Sequence, residues 1–190
     1  MKYRTQVLEH FREITPDDAA ALAALAGDNP FVSPHWLSAM EDSGSASLLT
    51  GWEGRPILVH DEKGVLAAGA PFYLKHHSYG EYVFDWAWAR AAQSAGIRYY
   101  PKGLIASPFS PVPGPRLLAR DEAARDALAQ ALTECVRDEG LSSAHLLFGE
   151  LHDHAALEHR GWLTRLGVQF HWRNRGYRDF ADFLDSLTQP

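Results

Sequence analysis

The chain has 190 residues, of which 46% are hydrophobic and 22% are charged, and its formal net charge is -6. This composition is enough for a folded core and excludes a disordered or collagen-like protein. The acidic balance also excludes a nucleic-acid-binding face over much of the surface, although a local basic patch is compatible with it. Cys135 is the only cysteine, so the chain forms no internal disulfide, which is typical of a reducing compartment.

The sequence gives no indication of an export signal or of a membrane span. The start, MKYRTQVLEH, has no apolar signal core. No stretch approaches the ~20 consecutive apolar residues of a membrane-spanning helix. We therefore expect a cytoplasmic protein without a membrane span.

The first elements are predicted from apolar runs and helix-capping residues. A strand is expected over 3–11. Thr15 then begins a helix, with Pro16 at the first helical position, where its missing N–H costs nothing. Gly27 ends this helix, and Ser33 repeats the capping pattern for a second, shorter one.

A β-hairpin is predicted next. Residues 57–60 form one strand, 61–64 supply turn residues, and 65–74 form a longer second strand. Pro71 inside the second strand indicates an edge position or a bulge, because proline cannot donate to the ladder. A bulge there would redirect the residues that follow it.

The segment after the hairpin has two interpretations. Asp85 could cap a helix that runs to Ala95, with Gly96 as its stop. The aromatic residues also alternate as in a strand, and we expect a strand to about residue 84 and then the helix. The alternating residues are Tyr82, Phe84, Trp86 and Trp88.

The second half of the chain is dominated by one strongly amphipathic helix. Asp121 caps it and Gly140 ends it, with apolar residues at i, i+4, i+7 and i+8 on its core face. A proline-rich loop precedes it. The other expected elements are strands over 97–106, 143–148 and 168–172 and helices over 154–160 and 179–187.

The stretch KHHSYGEYVFDWAW, residues 75–88, is the strongest candidate for a functional site. It is polar and ionisable at one end and aromatic at the other. Such a mixture at the end of an apolar run is typical of a pocket wall. The alternative is a strand-to-helix joint whose aromatic side chains simply pack inward.

The order of elements resembles the GCN5-related N-acetyltransferase (GNAT) fold, so the expected fold class is α+β, with a mixed, largely antiparallel central sheet flanked by helices. The local sequence resembles the bacterial FemAB-like, peptidoglycan-biosynthesis-associated N-acyltransferases. The stretches that carry this resemblance are NPFVSPHWLSAMEDSGS, APFYLKHHSYGEYVFDWAWA, IRYYPKGLIASPFSPVPGPRLL and VQFHWRNRGYRDFADFLDSL.

The resemblance implies a domain organisation. Members of the family carry two GNAT-like halves, so residues 1–176 would be the first half and 177–190 the start of a helix leading to a second one. The chain would then be a fragment. It would pack against the missing half or self-associate through the apolar face of its last helix.

The resemblance also implies an acyl donor, either an acyl-CoA or an aminoacyl-tRNA, used as a substrate and not as a tightly bound cofactor. A GNAT domain usually holds the CoA pyrophosphate on a glycine-rich loop ahead of its long helix. Here that loop would be SPFSPVPGPRLLARD, with one glycine and four prolines that lack an N–H. Arg116 could still meet a phosphate, whereas Asp121 would repel one. A tRNA would be met only at the local basic patch of His171, Arg173, Asn174 and Arg175.

Acyl transfer to an amine needs a base for the amine proton and donors for the developing oxyanion. Glu81, His76 and His77 are the candidates for the first role. Ser78, Tyr79 and backbone N–H groups are the candidates for the second, and the catalytic residues that we predict are Glu81, His77 and Ser78. Surface or structural ion pairs would account for the same charged residues equally well. The candidate substrate-binding residues are Lys75, Tyr79, Tyr82, Asp85, Trp86, Tyr99, Tyr100, Lys102 and Arg116.

Other chemistry is less well supported by the sequence. His154 and Glu158 share a helix face, but no second ligand cluster at a familiar spacing accompanies them, so we predict no metal site. Cys135 lies on the core face of its helix and is not expected to act as a nucleophile.

Two hypotheses follow. The chain is either an N-acyltransferase domain acting on the amine of a small or peptide-like acceptor such as a cell-wall precursor, or a non-catalytic GNAT-fold module that recognises such a ligand or supports a catalytic second half.

Overall fold

The computed structural model describes residues 2–83 and 85–187. The strands are β1 (Arg4–Val7), β2 (Glu53–Gly54), β3 (Ile57–His60), β4 (Leu66–Ala70), β5 (Phe72–Lys75), β6 (Lys102–Ile105), β7 (Leu118–Ala119) and β8 (Ala144–Leu146). The α-helices are α1 (Pro16–Ala26), α2 (Pro34–Asp42), α3 (Trp86–Ser94), α4 (Glu122–Asp138), α5 (Leu151–Glu158) and α6 (Phe180–Asp185).

The strands form two four-stranded sheets, ordered β1-β3-β4-β7 and β2-β5-β6-β8. All pairs are antiparallel except β6 with β8. The predicted hairpin runs through both sheets, and Pro71 lies at the point where its second strand passes from one sheet to the other. Residues 106–117 connect β6, which pairs with β5, to β7, which pairs with β4 in the other sheet.

The helices begin where their capping residues predict. Thr15 accepts a hydrogen bond from the amide of Asp18 at 3.2 Å, and Ser33 accepts one from the amide of Trp36 at 3.3 Å. Asp121 accepts from the amide of Ala124 at 2.8 Å and begins α4. This helix covers the largest core cluster with a buried face that includes Leu128, Leu132 and Cys135.

The helix expected after Asp85 is present as α3, but one predicted cap and two predicted strands were wrong. Asp85 precedes α3 but makes no side-chain cap, because its carboxylate is hydrogen-bonded elsewhere. Residues 80–83 form a turn followed by bends and not a strand, and Phe84 lies outside the described residues. Residues 168–172 have the alternation of a strand but pair with no other strand in the described part of the chain.

The expected class, a mixed and largely antiparallel sheet flanked by helices, is confirmed by this arrangement, with the sheet split in two. Within residues 2–83 and 85–187, no helix is long and apolar enough to cross a membrane. For the site, the important feature is the 26-residue excursion between β5 and β6, because it begins and ends at neighbouring strand ends.

Candidate functional site

Two lysines lie opposite each other at the centre of the site. Lys75 ends β5 and Lys102 begins β6, and the two are in register across this antiparallel pair. Residues paired in this way project to the same face of a sheet. Both lysines are fully buried. The fold therefore places two lysine side chains on the same face of the sheet and buries both. Burying two ammonium groups is unfavourable unless nearby anions compensate their charge.

The excursion between the two strands supplies these anions to Lys102. Its Nζ donates to Asp85 Oδ2 at 2.5 Å, to Glu81 Oε2 at 2.9 Å and to Ser78 Oγ at 2.9 Å. All three partners are buried. The ammonium of Lys102 thus has three hydrogen bonds, the number that it can donate.

Two tyrosines close the same network. Tyr99 Oη donates to Asp85 Oδ2 at 2.7 Å, and the hydroxyl groups of Tyr100 and Ser78 are 2.7 Å apart. The ring centroids of both tyrosines lie within 6 Å of Lys102 Nζ, at 5.5 and 5.8 Å. We call Ser78, Glu81, Asp85, Tyr99, Tyr100 and Lys102 together with Lys75 the lysine network.

Lys75 is held differently. Its Nζ lies 3.9 Å from the ring centroid of Trp52 and donates to the carbonyl of Tyr79 at 3.2 Å. Burial lowers the pKa of Lys75 to about 7, against a weaker opposing effect of Glu81. A lysine in this state exchanges its proton near neutral pH.

The pKa values of the two carboxyl groups, Glu81 and Asp85, are shifted in opposite directions. Burial raises the pKa of Glu81, and the positive charge of Lys102 offsets this only in part. Burial also acts to raise the pKa of Asp85, but hydrogen bonds from Lys102, Ser78 and Tyr99 outweigh it and lower that pKa. A neighbouring pair of carboxyl groups whose pKa values are pushed apart is the arrangement that separates a proton acceptor from a permanent anion.

Several buried polar atoms of this region have no partner in the described part of the chain. They include Oε1 of Glu81, Oδ1 of Asp85 and Nε1 of Trp52. A buried polar atom without a hydrogen bond is costly, so each such atom calls for an explanation. The two free carboxylate oxygens would accept hydrogen bonds from a cationic ligand.

Aromatic residues adjoin the lysine network along the chain. Tyr79 is 65% exposed, and its ring centroid lies 4.9 Å from that of Trp86 and 5.1 Å from that of His77. Tyr82 is also exposed and has a φ of 59°, a conformation that is unfavourable for a bulky residue. We call His77, Tyr79, Tyr82 and Trp86 the aromatic rim.

Gly80 allows this rim to approach the rest of the fold closely. Its φ is 79°, and a Cβ added there would lie 2.5 Å from the ring of Phe109. Any other residue would therefore push the loop away from Phe109. The positive φ and the close approach to Phe109 thus explain why a glycine stands at position 80, where it interrupts the sequence pattern.

The structure brings together most of the predicted site residues. Lys75, Ser78, Glu81, Asp85, Tyr99, Tyr100 and Lys102 meet in the lysine network. In the aromatic rim, the ring of Tyr79 contacts those of His77 and Trp86, and Tyr82 directly follows Glu81 in the chain. Their roles in catalysis and binding stay predictions. Trp52 and His145 were missed, since each is separated in sequence from the stretch that it supports and neither belongs to a motif. His145 lies near Lys102, and burial together with that positive charge lowers its pKa to about 4.

Arg116 lies apart from this network. Its side chain is fully buried and donates to the carbonyl groups of Val112, Gly114 and Pro115. The guanidinium therefore braces the loop to which it belongs. Asp153 of α5 anchors the same loop, because its buried carboxylate accepts from the amides of Arg116 and Leu117 at 2.8 and 3.1 Å.

The loop ahead of α4 does not fit a CoA pyrophosphate. Prolines at 108, 111, 113 and 115 have no N–H. The amides of Ser110, Gly114, Arg116 and Leu117 are already hydrogen-bonded within the protein. The carboxylate of Asp121 already occupies the first turn of α4. Phosphate binding at such a loop depends on free amides and a positive helix end.

Two other chemistries receive no support. Among the described residues, no group of three or more histidine, cysteine, aspartate or glutamate side chains is placed to hold a metal ion. Cys135 is buried, and this burial raises its pKa to about 11, which disfavours a reactive thiolate.

Comparison with known proteins identifies the class of fold. A ribosomal-protein-alanine N-acetyltransferase from Brucella melitensis biovar Abortus is similar, with a TM-score of 0.50 and 16% identity over 91% of this chain and 100% of that one. An aminoglycoside 6'-N-acetyltransferase from Acinetobacter baumannii also has a TM-score of 0.50, with 12% identity over 92% of this chain and 100% of that one. At these identities the likeness shows the fold alone, which is that of the GCN5-related N-acetyltransferases.

The family is shown by sequence. The model of the FemAB-like family, described as peptidoglycan biosynthesis/recognition, matches residues 10–190. The chain therefore belongs to the FemAB-like family. The search of curated proteins gave no match.

Proposed function

We propose that this chain is the acceptor-binding domain of a FemAB-like N-acyltransferase, and that its acceptor is a peptide-like cell-wall precursor with a primary amine. The observation that carries this proposal is the pair of buried carboxylates, Glu81 and Asp85, each of which has one oxygen without a partner among the described residues. The aromatic residues Tyr82 and Trp86 directly follow them in the chain. Aromatic side chains with a few convergent polar groups are typical of a ligand site.

The acceptor amine would bind as an ammonium group on the free oxygens of Glu81 and Asp85. Glu81 would then take one proton, because its raised pKa makes it the better proton acceptor of the two. Asp85 would stay ionised and hold the remaining N–H, since Lys102 and Tyr99 stabilise its charge. The neutral nitrogen would attack the acyl carbonyl carbon and form a C–N bond, and the bond from the acyl carbon to its leaving group would break. The leaving group, the sulfur of a CoA donor or the ribose oxygen of a tRNA donor, would depart with the second proton that the nitrogen gives up as the amide forms.

Ser78 and Lys102 would hold this arrangement in place. Lys102 binds both carboxylates and Ser78 at once, so it fixes the distance between the proton acceptor and the permanent anion. Because the network is buried, the loop that carries the rim residues Tyr79 and Tyr82 would have to move for the acceptor to enter.

The donor would be bound outside the loop ahead of α4, which does not suit CoA phosphates. A second GNAT-like half is one place for it. An aminoacyl-tRNA is the other donor compatible with the family, and it would meet the basic patch that contains Arg173 and Arg175. Both arginines are exposed.

The direct test uses the full-length protein and a stem peptide that carries a free lysine side-chain amine. Glu81→Gln should keep the affinity for this peptide within about threefold and reduce the rate of acyl transfer at least a hundredfold, in line with the usual contribution of a general base. Glu134→Gln, on the exposed face of α4, is the matched control and should change neither quantity. Unchanged transfer by Glu81→Gln would contradict the role given to this residue.

A second candidate function is recognition without catalysis. It is favoured by the complete burial of Lys102 and by its three hydrogen bonds, an arrangement that would also serve as a rigid support for the aromatic rim. In that case Tyr79→Ala and Trp86→Ala would lower peptide affinity, while Glu81→Gln would leave any acyl transfer by the full-length protein unchanged.

A further inference from the structure

Residues 166–172 have the sequence alternation of a strand but pair with no strand in the described part of the chain. Leu166, Val168, Phe170 and Trp172 alternate with polar residues, as in a half-buried strand. In the structure the apolar side is bare, with Leu166 96% and Phe170 94% exposed. Period-two alternation with nothing on the apolar side indicates a strand whose partner is elsewhere.

The same chain has a sheet edge without a strand. β8 lies at the end of its sheet and pairs only with β6 among the described residues. Leu146, on β8, packs against the main core and remains partly exposed. The outer edge of β8 therefore offers free backbone groups next to an incompletely covered apolar side chain, which is a template for strand addition.

The segment does not close this edge in its own chain. Gln169 Nε2 donates to the carbonyl of Pro111 at 2.6 Å, in the proline-rich loop. Arg165 lies 4.6 Å from the ring centroid of Trp88 on α3. These two contacts hold residues 165–169 against α3 and the proline-rich loop and not against β8. The apolar side chains of the segment remain exposed to solvent.

The exposed area is large enough for a stable interface. Aromatic residues such as Phe170 and Trp172 each bury about 150–250 Å² when covered. With Leu163, Leu166 and Val168, which are also exposed, the apolar surface of this segment is on the order of 600–800 Å². One partner in a standard protein interface buries about 800 Å².

We infer that the partner is a second copy of this chain, with residues 166–172 of each copy added to the outer edge of β8 in the other. Each copy contains both the segment 166–172 and the outer edge of β8. Two copies therefore form a closed, two-fold symmetric dimer in which both segments and both edges are covered. This inference is independent of the function proposed above.

The oligomeric state of the chain in sedimentation experiments is the first part of the test. The chain should sediment as a dimer at micromolar concentration. Phe170→Asp should make it a monomer, whereas His171→Ser, on the polar side of the same segment, should leave the dimer intact. Phe170 is exposed, so its replacement should not unfold the monomer, and a melting curve would verify this. A wild-type monomer, or a dimer that persists in Phe170→Asp, would overturn the inference.

The second part locates the contact. In a Cys135→Ala background, one set of chains carries Ala144→Cys and another carries Val168→Cys. Oxidation of the mixture should give a disulfide-linked pair containing one chain of each kind. A chain that carries both cysteines and closes only an internal disulfide would show that the strand returns to its own β8, and this would also overturn the inference.

Discussion

Lys75 and Lys102 face each other in register across β5 and β6, and both are fully buried. The unfavourable burial of a charged ammonium group is relieved differently for the two residues. Lys102 donates to two carboxylates and a hydroxyl, whereas burial lowers the pKa of Lys75 so that it loses its proton near pH 7. Lys102 is therefore bound by anions, whereas Lys75 is a group that titrates near neutral pH.

Replacing Lys102 with methionine should destabilise the protein strongly. The substitution leaves the carboxylates of Glu81 and Asp85 buried without their common cation. Breaking a buried ion pair from one side typically costs about 3–5 kcal/mol. Urea denaturation measures this loss. Lys63→Met, in the turn before β4, is the control and should change the free energy of unfolding by less than about 0.5 kcal/mol.

Lys75 should make the stability depend on pH above neutrality. The unfolded chain keeps the Lys75 proton up to about pH 10.5, whereas the folded chain releases it near pH 7. Unfolding therefore takes up a proton between these values, and the free energy of unfolding should increase with pH by at most about 1.4 kcal/mol per unit. Denaturation curves of the wild type and Lys75→Met, measured between pH 7 and pH 10, test this. Parallel pH profiles of the two proteins would contradict it.

His145 should have the corresponding effect in acid. Burial and the charge of Lys102 lower its pKa from 6.5 to about 4, so the unfolded chain binds a proton in this range that the folded chain does not. The His145 contribution to stability should fall as the pH decreases from 6.5 to 4. His145→Asn should lose stability less steeply over that range. Thermal melts at several pH values provide the comparison, and equal slopes would exclude this contribution.

Asp153 should control the order of the proline-rich loop. Its carboxylate accepts from the amides of Arg116, Leu117 and Glu150 while fully buried. Asp153→Asn removes the charge and turns one acceptor into a donor, at an expected cost of about 2–3 kcal/mol. Limited proteolysis should then cut between residues 108 and 117 faster than in the wild type. Asp138→Asn, on the exposed end of α4, should show wild-type cleavage.

Local chemistry in the sequence was enough to predict much of the fold. The caps at Thr15, Ser33 and Asp121 and the periodic face of α4 are short-range signals, and each is present in the structure. The predicted cap at Asp85 failed because a long-range partner competes for its carboxylate. Lys102 lies 17 residues further along and binds Asp85 at 2.5 Å, which no local pattern reveals.

The candidate site was predictable in part for the same reason. The stretch from Lys75 to Asp85 is continuous in sequence, and its charged and aromatic residues mark it. The register that sets Lys75 opposite Lys102, and the position of Trp52 beneath Lys75, depend on strand pairing over long distances. The strand predicted over 168–172 shows the limit of local patterns in another way, since its alternation is present in the sequence but it pairs with no strand among the described residues.

The central claim is that this domain recognises an amine-bearing peptide and not CoA. Thermal melting of the chain with a lysine-containing stem peptide, and separately with free CoA, tests it most directly. A ligand at about a hundred times its dissociation constant adds roughly 2.7 kcal/mol to the folded state, which is readily seen as a shift in Tm. The account predicts a shift with the peptide that is lost in Tyr79→Ala, and none with CoA. A shift with CoA and none with the peptide would contradict it.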